Sequence, residues 1–160
     1  MPTLRPTACL TDPPLTARSK GFDVELIGKV QPDWNLKAAL TRAKVTRQES
    51  DQLWANFPTW QLQLGSDYRF SGKLRPLQLG GFLTWQSKLE AYNVPSPSGR
   101  VYVTERSKPL LDLYASWDFT EAYRLTLAVT NALGKKYWAN LDYANYGQPR
   151  FFSATFRMAF

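Results

Sequence analysis

Five carboxylates alternate with apolar residues rather than clustering with other polar groups: Asp23, Glu25, Asp67, Asp112 and Asp118. Two carboxylates sharing one face could serve as a general acid and a general base. No supporting motif surrounds any pair of them, and Arg69 and Arg124 offer salt-bridge partners on the same polar faces. Solvation of a polar surface is therefore the plainer role. The chain has no histidine, which removes imidazole acid–base chemistry, the Ser-His-Asp triad and most transition-metal sites. Its single cysteine, Cys9, rules out an internal disulfide framework and any cysteine-cluster metal site. The expectation is a protein that is not an enzyme and carries neither metal nor cofactor of its own.

The elements that place these groups must be read against a basic background. The 160 residues carry a formal charge of +7, and 14% of them are aromatic. Intrinsic disorder requires few aromatics, so a folded chain is expected. Lysines and arginines are dispersed with no run of four, which argues against nucleic acid as a partner. No segment approaches the roughly 18 apolar residues of a membrane-spanning helix. The opening MPTLRPTACLTDPPLTARSK has four prolines and no apolar stretch, so it does not read as a signal peptide.

From Gly21 onward the apolar period is two. The apolar faces are Phe22, Val24, Leu26, Val30; Trp34, Leu36, Ala38, Leu40; and Trp60, Leu62, Leu64, Ser66, Tyr68, Phe70. Then come Leu77, Leu79, Gly81, Leu83, Trp85, followed by Leu111, Leu113, Ala115, Trp117, Phe119. The last two are Tyr123, Leu125, Leu127, Val129, Leu133 and Phe152, Ala154, Phe156, Met158, Phe160. No charge falls on any of these faces, and the pattern predicts seven antiparallel strands.

Alternation does not say which face meets water, since a soluble sandwich or lipocalin-like barrel alternates too. Three features favour a membrane barrel. The runs last about 9–12 residues, near the 9–11 of spanning strands rather than the 5–6 of globular ones. Aromatics sit at strand ends: from Trp60 to Phe70 is about 33 Å of strand, or about 24 Å at a 45° tilt, close to the apolar band between aromatic girdles. Connectors also alternate: short near Pro32, Gly72 to Pro76 and Thr120, long over 46–58, 87–108 and 134–149. Short periplasmic turns and long extracellular loops give that rhythm. The expected fold class is all-β, an antiparallel transmembrane β-barrel fragment of about seven long meander strands. An odd strand number cannot close a bacterial barrel alone, so the chain is expected to be incomplete. The runner-up is a small soluble β-barrel or sandwich binding an apolar ligand. A lipid-modifying outer-membrane enzyme would need a catalytic His or Ser constellation that is not visible.

Particular stretches also resemble one family. Asn131-Ala132-Leu133-Gly134-Lys135-Lys136-Tyr137, then Tyr146-Gly147-Gln148-Pro149-Arg150 and a last strand ending at Phe160, resemble the C-terminus of TonB-dependent outer-membrane receptors. Gly134 departs from the usual Phe/Asp pattern there. Ser19-Lys20-Gly21-Phe22-Asp23-Val24-Glu25-Leu26, Pro32-Asp33-Trp34-Asn35-Leu36 and Trp85-Gln86-Ser87-Lys88 are similar to earlier strands and turns of the same receptors. The ferric-siderophore subgroup of pyoverdine or coprogen type looks most similar.

The resemblance covers 17–160 and implies the last seven strands of a 22-stranded barrel, with signal peptide, TonB box and plug absent. The Pro-rich segment 1–16 is unplaced. It further implies a cell outer membrane location and a ferric siderophore as ligand, with iron present only as the chelate. The implied partners are the bilayer, the outer-membrane assembly machinery, and the TonB complex through the missing plug. Alone, the chain is expected not to transport. The candidate ligand-contacting loop aromatics are Trp54, Phe57, Tyr92, Tyr102, Tyr137, Trp138, Tyr143 and Tyr146, whose faces with nearby Arg/Lys suit a flat anionic chelate. Rim or loop packing is the alternative role for each. Phe152, Phe156, Met158 and Phe160 resemble the signal read by the assembly machinery, against the alternative of an apolar edge strand packed in a core.

Overall fold

The structure, a computed structural model, describes residues 17–47, 58–141 and 145–159. In chain order the strands are β1 Ala17–Gln31, β2 Trp34–Arg47, β3 Trp60–Arg69, β4 Leu77–Gln86, β5 Leu89–Ser96 and β6 Gly99–Glu105. They continue with β7 Lys108–Asp118, β8 Tyr123–Thr130, β9 Trp138–Asn140, β10 Asn145–Tyr146 and β11 Phe151–Met158. Seven of them form one sheet in the order β1-β2-β3-β4-β7-β8-β11, every pair antiparallel.

The seven expected strands are therefore these seven, with adjustments at their ends. β1 and β2 run several residues past the apolar alternation, because extended pairing continues to Ala17↔Arg47. The sixth strand stops at Thr130, so Leu133 lies in a turn. There Asn131 takes φ 49°, a left-handed conformation that breaks the ladder. Phe70 and Phe119 likewise fall just past their strands, and Phe160 lies outside the described residues. Two of the long connectors contain structure of their own: β5 pairs with β6, and β9 with β10. The remaining long connector lies mostly outside the described residues.

Turn chemistry fixes the short end of the sheet. Pro32-Asp33 closes β1 to β2, and Asp33 also accepts the Arg69 amide at 2.9 Å. A single 3-10 turn, Gly72–Leu74, links β3 to β4, with Gly72 at φ +63°, where a side chain would be strained. Between β7 and β8, Thr120 Oγ1 accepts the amides of Ala122 and Tyr123 at 3.2 Å each.

The register lines up the apolar face across the sheet. One row runs Leu26–Ala38–Leu64–Leu83–Leu111, and another Tyr68–Leu79–Ala115–Leu127–Ala154. Among the described residues nothing packs over this face. Leu26, Leu127 and Phe152 are 70%, 53% and 72% exposed. Among the described residues the only buried hydrophobic side chains are Leu89, Ala91 and Leu141, and these lie at the long-loop end. A soluble sandwich would bury this face against a second layer. Here its apolar surface is continuous and bare, as lipid contact requires. At the short-turn rim Trp34 donates its indole N–H to Ser66 Oγ at 2.9 Å, and Tyr123 stacks on Phe156.

Candidate functional site

Two regions gather polar or aromatic side chains: the inner face of the sheet and its long-loop end. On the inner face, strand pairing sets Asn35 beside Asp67, Asp67 beside Gly80, and Gly80 beside Tyr114. Asn35 Nδ2 donates to Asp67 Oδ2 at 2.7 Å, and Gln78 Nε2 donates to the same oxygen at 3.3 Å. Arg69 reaches Gln78 Oε1 at 3.4 Å with one nitrogen and Asp118 Oδ2 at 3.3 Å with the other. Arg124 grips Asp118 through both carboxylate oxygens, at 2.5 and 3.0 Å. The result is one hydrogen-bonded polar band spanning β2, β3, β4, β7 and β8.

Hydrogen bonds occupy three of the five carboxylates, two of them within this band. Asp118 is held by both Arg69 and Arg124, and Asp67 is held by amides. Asp112 accepts the Asn131 backbone N–H at 2.7 Å. Each therefore accepts hydrogen bonds from neighbouring donors, the salt-bridging role that Arg69 and Arg124 suggested for Asp118 among them. Two aromatic rings complete the face by lying on glycines of the neighbouring strand. Phe82 packs on Gly65, and Tyr114 lies so close to Gly80 that a Cβ there would collide with its ring. Tyr114 also comes within 3.5 Å of Gln78 through its hydroxyl.

At the other end the loop hairpins pack on each other. Leu89 and Ala91 of β5 and Leu141 form a small core, with Val103 and Trp138 packed against it. Asn131, 2% exposed, organises the following turn. Its Nδ2 donates to the carbonyls of Lys135 and Gln148, and its Oδ1 accepts the Lys135 amide. Lys108, almost fully buried, pairs with Glu105 at 3.0 Å and sits 4.9 Å from the Tyr137 ring centroid. Tyr137 in turn lies flat against Gly147, whose amide donates to the Tyr137 carbonyl at 2.8 Å.

The candidate aromatics divide accordingly. Tyr137 and Trp138 are half-buried packing elements, and Trp138 stacks on Tyr146 at 4.0 Å. Tyr146 is 70% exposed, and Tyr102 on β6 is 54% exposed. Tyr102 hydrogen-bonds the Glu90 carboxylate, which also accepts Lys88 Nζ at 2.7 Å. The Lys88 bond, then the Tyr102 bond, hold Glu90 below the usual carboxylate range despite its partial burial. Tyr92 lies on β5, with its side chain outside the described residues, as are Trp54, Phe57 and Tyr143. Phe152, Phe156 and Met158 all face outward on the exposed edge strand β11.

Several residues at this end were not singled out from the sequence. Asn131 lay within a quoted motif without a role of its own. Lys108 and Glu105 carried no signal, because a buried ion pair leaves no periodic trace. The Leu89/Ala91 alternation could have revealed the inserted hairpin.

Residues 14–132 match the family described as TonB dependent receptor-like, beta-barrel. The chain belongs to the TonB-dependent receptor β-barrel family. It is 31% identical over 142 residues to the ferripyoverdine receptor of Pseudomonas aeruginosa, a match covering 85% of this chain and 17% of that receptor. With the ferric-pyoverdine 358 receptor of Pseudomonas putida it shares 31% identity over 150 residues, covering 90% of this chain and 18% of that one. The chain thus spans under a fifth of the length of these relatives. The outer-membrane ferripyoverdine receptor of Pseudomonas aeruginosa, solved with ferripyoverdine bound, superimposes with a TM-score of 0.79 at 28% identity, over 89% of this chain and 19% of that one. The complex of FpvAI with pyocin S2 gives 0.82 at 27% identity, over 90% and 19%. The ferric-catecholate import receptor Fiu of E. coli, at 18% identity and a TM-score of 0.70 over 89% of this chain and 21% of that one, shares the fold. TonB-dependent receptor barrels are receptors, and the open apolar sheet described above is a section of such a wall.

Proposed function

We propose that the chain forms part of the β-barrel of an outer-membrane receptor that takes up a ferric siderophore of the pyoverdine class with energy supplied through TonB. The observation that carries this is the 31% identity to a ferripyoverdine receptor over 85% of the chain. The bare apolar face supports contact with the bilayer, and the polar band supports a water-facing lumen. In this reading the long-loop end faces the cell exterior. Tyr102 and Tyr146 are the described aromatics open to a ligand there, while Tyr137 and Trp138 set the shape of the loop beneath them. Trp54, Phe57 and Tyr143, which lie outside the described residues, and Tyr92 of β5 are the further aromatics this reading assigns to ligand contact from their sequence positions. β11, with Phe152, Phe156 and Met158 outward and Phe160 following, is the strand offered to the assembly machinery. Each free edge of the sheet then pairs with an antiparallel strand from the rest of the receptor.

The test is a chimera in which residues 17–160 replace the corresponding strands of the Pseudomonas aeruginosa ferripyoverdine receptor. Expressed in a receptor-null strain, it should insert in the outer membrane and bind radiolabelled ferripyoverdine. Tyr102→Ala with Tyr146→Ala should weaken that binding by about tenfold, the loss of roughly one stacked aromatic contact. A chimera that inserts but imports or binds no siderophore of this class would refute the reading.

A further inference from the structure

The outward face holds one further feature. Along all seven strands of the sheet it carries charge at four described positions only: Arg18 and Lys20 on β1, Arg42 and Lys44 on β2. All four are cationic, all are exposed, and all lie at the long-loop end. The register places Lys20 directly opposite Lys44, Arg18 opposite Thr46, and Phe22 opposite Arg42. Like charges facing each other across a strand pair are unfavourable unless something of opposite sign lies over them. Among the described residues none of the four makes an ion pair.

Their height is what gives them meaning. Phe22 and Trp60 meet edge to face with centroids 5.9 Å apart, and Arg42 lies over the Trp60 ring at 5.1 Å. This aromatic pair marks the rim of the apolar band, where a bilayer passes from hydrocarbon to headgroups. Lys20 and Arg18 stand two and four residues beyond Phe22. At about 3.3 Å per residue and a 45° tilt, that is about 5 and 9 Å higher, within the headgroup layer.

We propose that Arg18, Lys20, Arg42 and Lys44 form an outward-facing site for the phosphate groups of lipid headgroups in the leaflet at the long-loop end. Charge complementarity identifies the occupant: four cations without a carboxylate among them, at the level where lipid phosphates lie. Trp60 anchors the adjoining rim and holds the Arg42 guanidinium over its ring. The proposal rests on the reading that this face touches lipid.

The test is flotation of the full chain with phosphatidylcholine vesicles, with and without phosphatidic acid as the phosphate-rich probe. Each cation near an anionic surface adds about fivefold to partition, so phosphatidic acid should raise binding by up to several hundredfold. Arg18→Gln/Lys20→Gln and Arg42→Gln/Lys44→Gln should each remove about half of that gain on a logarithmic scale, leaving partition into neutral vesicles unchanged. Removing the same number of charges elsewhere, with Lys29→Gln/Lys37→Gln or with Lys73→Gln/Arg75→Gln, should preserve most of it. Equal losses in this control and in the site variants would overturn the proposal, as would a gain that neither site variant reduces. Failure to float even with neutral vesicles would overturn the lipid-contact reading and the proposal with it.

Discussion

Leu64 sits midway along β3 between Trp60 and Tyr68, in the outward row with Ala38 and Leu83. Four residues separate it from each aromatic, about 13 Å of strand or about 9 Å of depth at a 45° tilt. It therefore lies near the bilayer midplane. An arginine there costs a membrane barrel about 2–4 kcal/mol, or about a 30- to 900-fold fall in the folded-to-unfolded ratio. Gln63, its chain neighbour, points to the inner face beside Ala39 and Thr84, where an arginine reaches water. Gln63→Arg should cost under about 0.5 kcal/mol, as surface substitutions do. Urea unfolding of the chain folded into phosphatidylcholine vesicles, followed by tryptophan fluorescence, measures both. Moving the arginine to Leu62 and then to Trp60 should shrink the cost stepwise, because the penalty falls toward the interface. A soluble core would also resist Leu64→Arg, but without that depth profile and without any need for lipid. Equal costs at 63 and 64, or a flat profile from 64 to 60, would refute the assignment of faces.

Other consequences concern the inner wall and the loops. Gly80→Ala forces the Tyr114 ring aside and should cost about 1–3 kcal/mol, as overpacking does; Tyr114→Ala should relieve it, which a double-mutant cycle in the same unfolding assay will read. Asn131→Ala removes three side-chain hydrogen bonds at a buried, left-handed position. It should cost about 2–4 kcal/mol locally, seen as faster protease cleavage between 131 and 150. Glu90 titrates below its ordinary value of 4.5 because Lys88 and Tyr102 favour the charged form. A depressed carboxylate adds stability above its unfolded value and loses it as pH falls through the folded one, so the β5–β6 hairpin should loosen below about pH 4.5. Hydrogen exchange of that hairpin between pH 3 and pH 6 should show the loss, and Glu90→Gln should abolish it.

How much of this was readable from residues alone follows from what leaves a periodic trace. Side chains on a paired strand must alternate, so the faces of Trp60 to Tyr68 or Leu77 to Trp85 announce both the strand and its two environments. Charge-free apolar faces and aromatic ends carried the membrane assignment, because lipid tolerates no charge at depth. Long-range partners leave no such mark. Nothing local in Asn131 shows that it reaches Gln148, and nothing in Lys108 shows that Glu105 and Tyr137 enclose it. The glycines of β3 and β4 likewise show nothing locally of the rings they seat, Phe82 on Gly65 and Tyr114 on Gly80.

The same division explains why the ends of β1 and β2 escaped notice. Apolar alternation stops at Phe22 and Leu40, but backbone pairing continues to Ala17↔Arg47 with cations on the outward side. A pattern search for apolar residues ends a strand where hydrocarbon ends, not where hydrogen bonding does. The mismatch between the two limits is itself informative. It measures how far this wall stands above the apolar band, and it falls where Arg18, Lys20, Arg42 and Lys44 replace leucine and valine. In a strand pair that crosses a membrane, the point at which outward apolar residues give way to outward charge locates the interface. Here Phe22 and Trp60 put it at the same level on β1 and β3, two strands that do not touch in the ladder but share the row through Arg42.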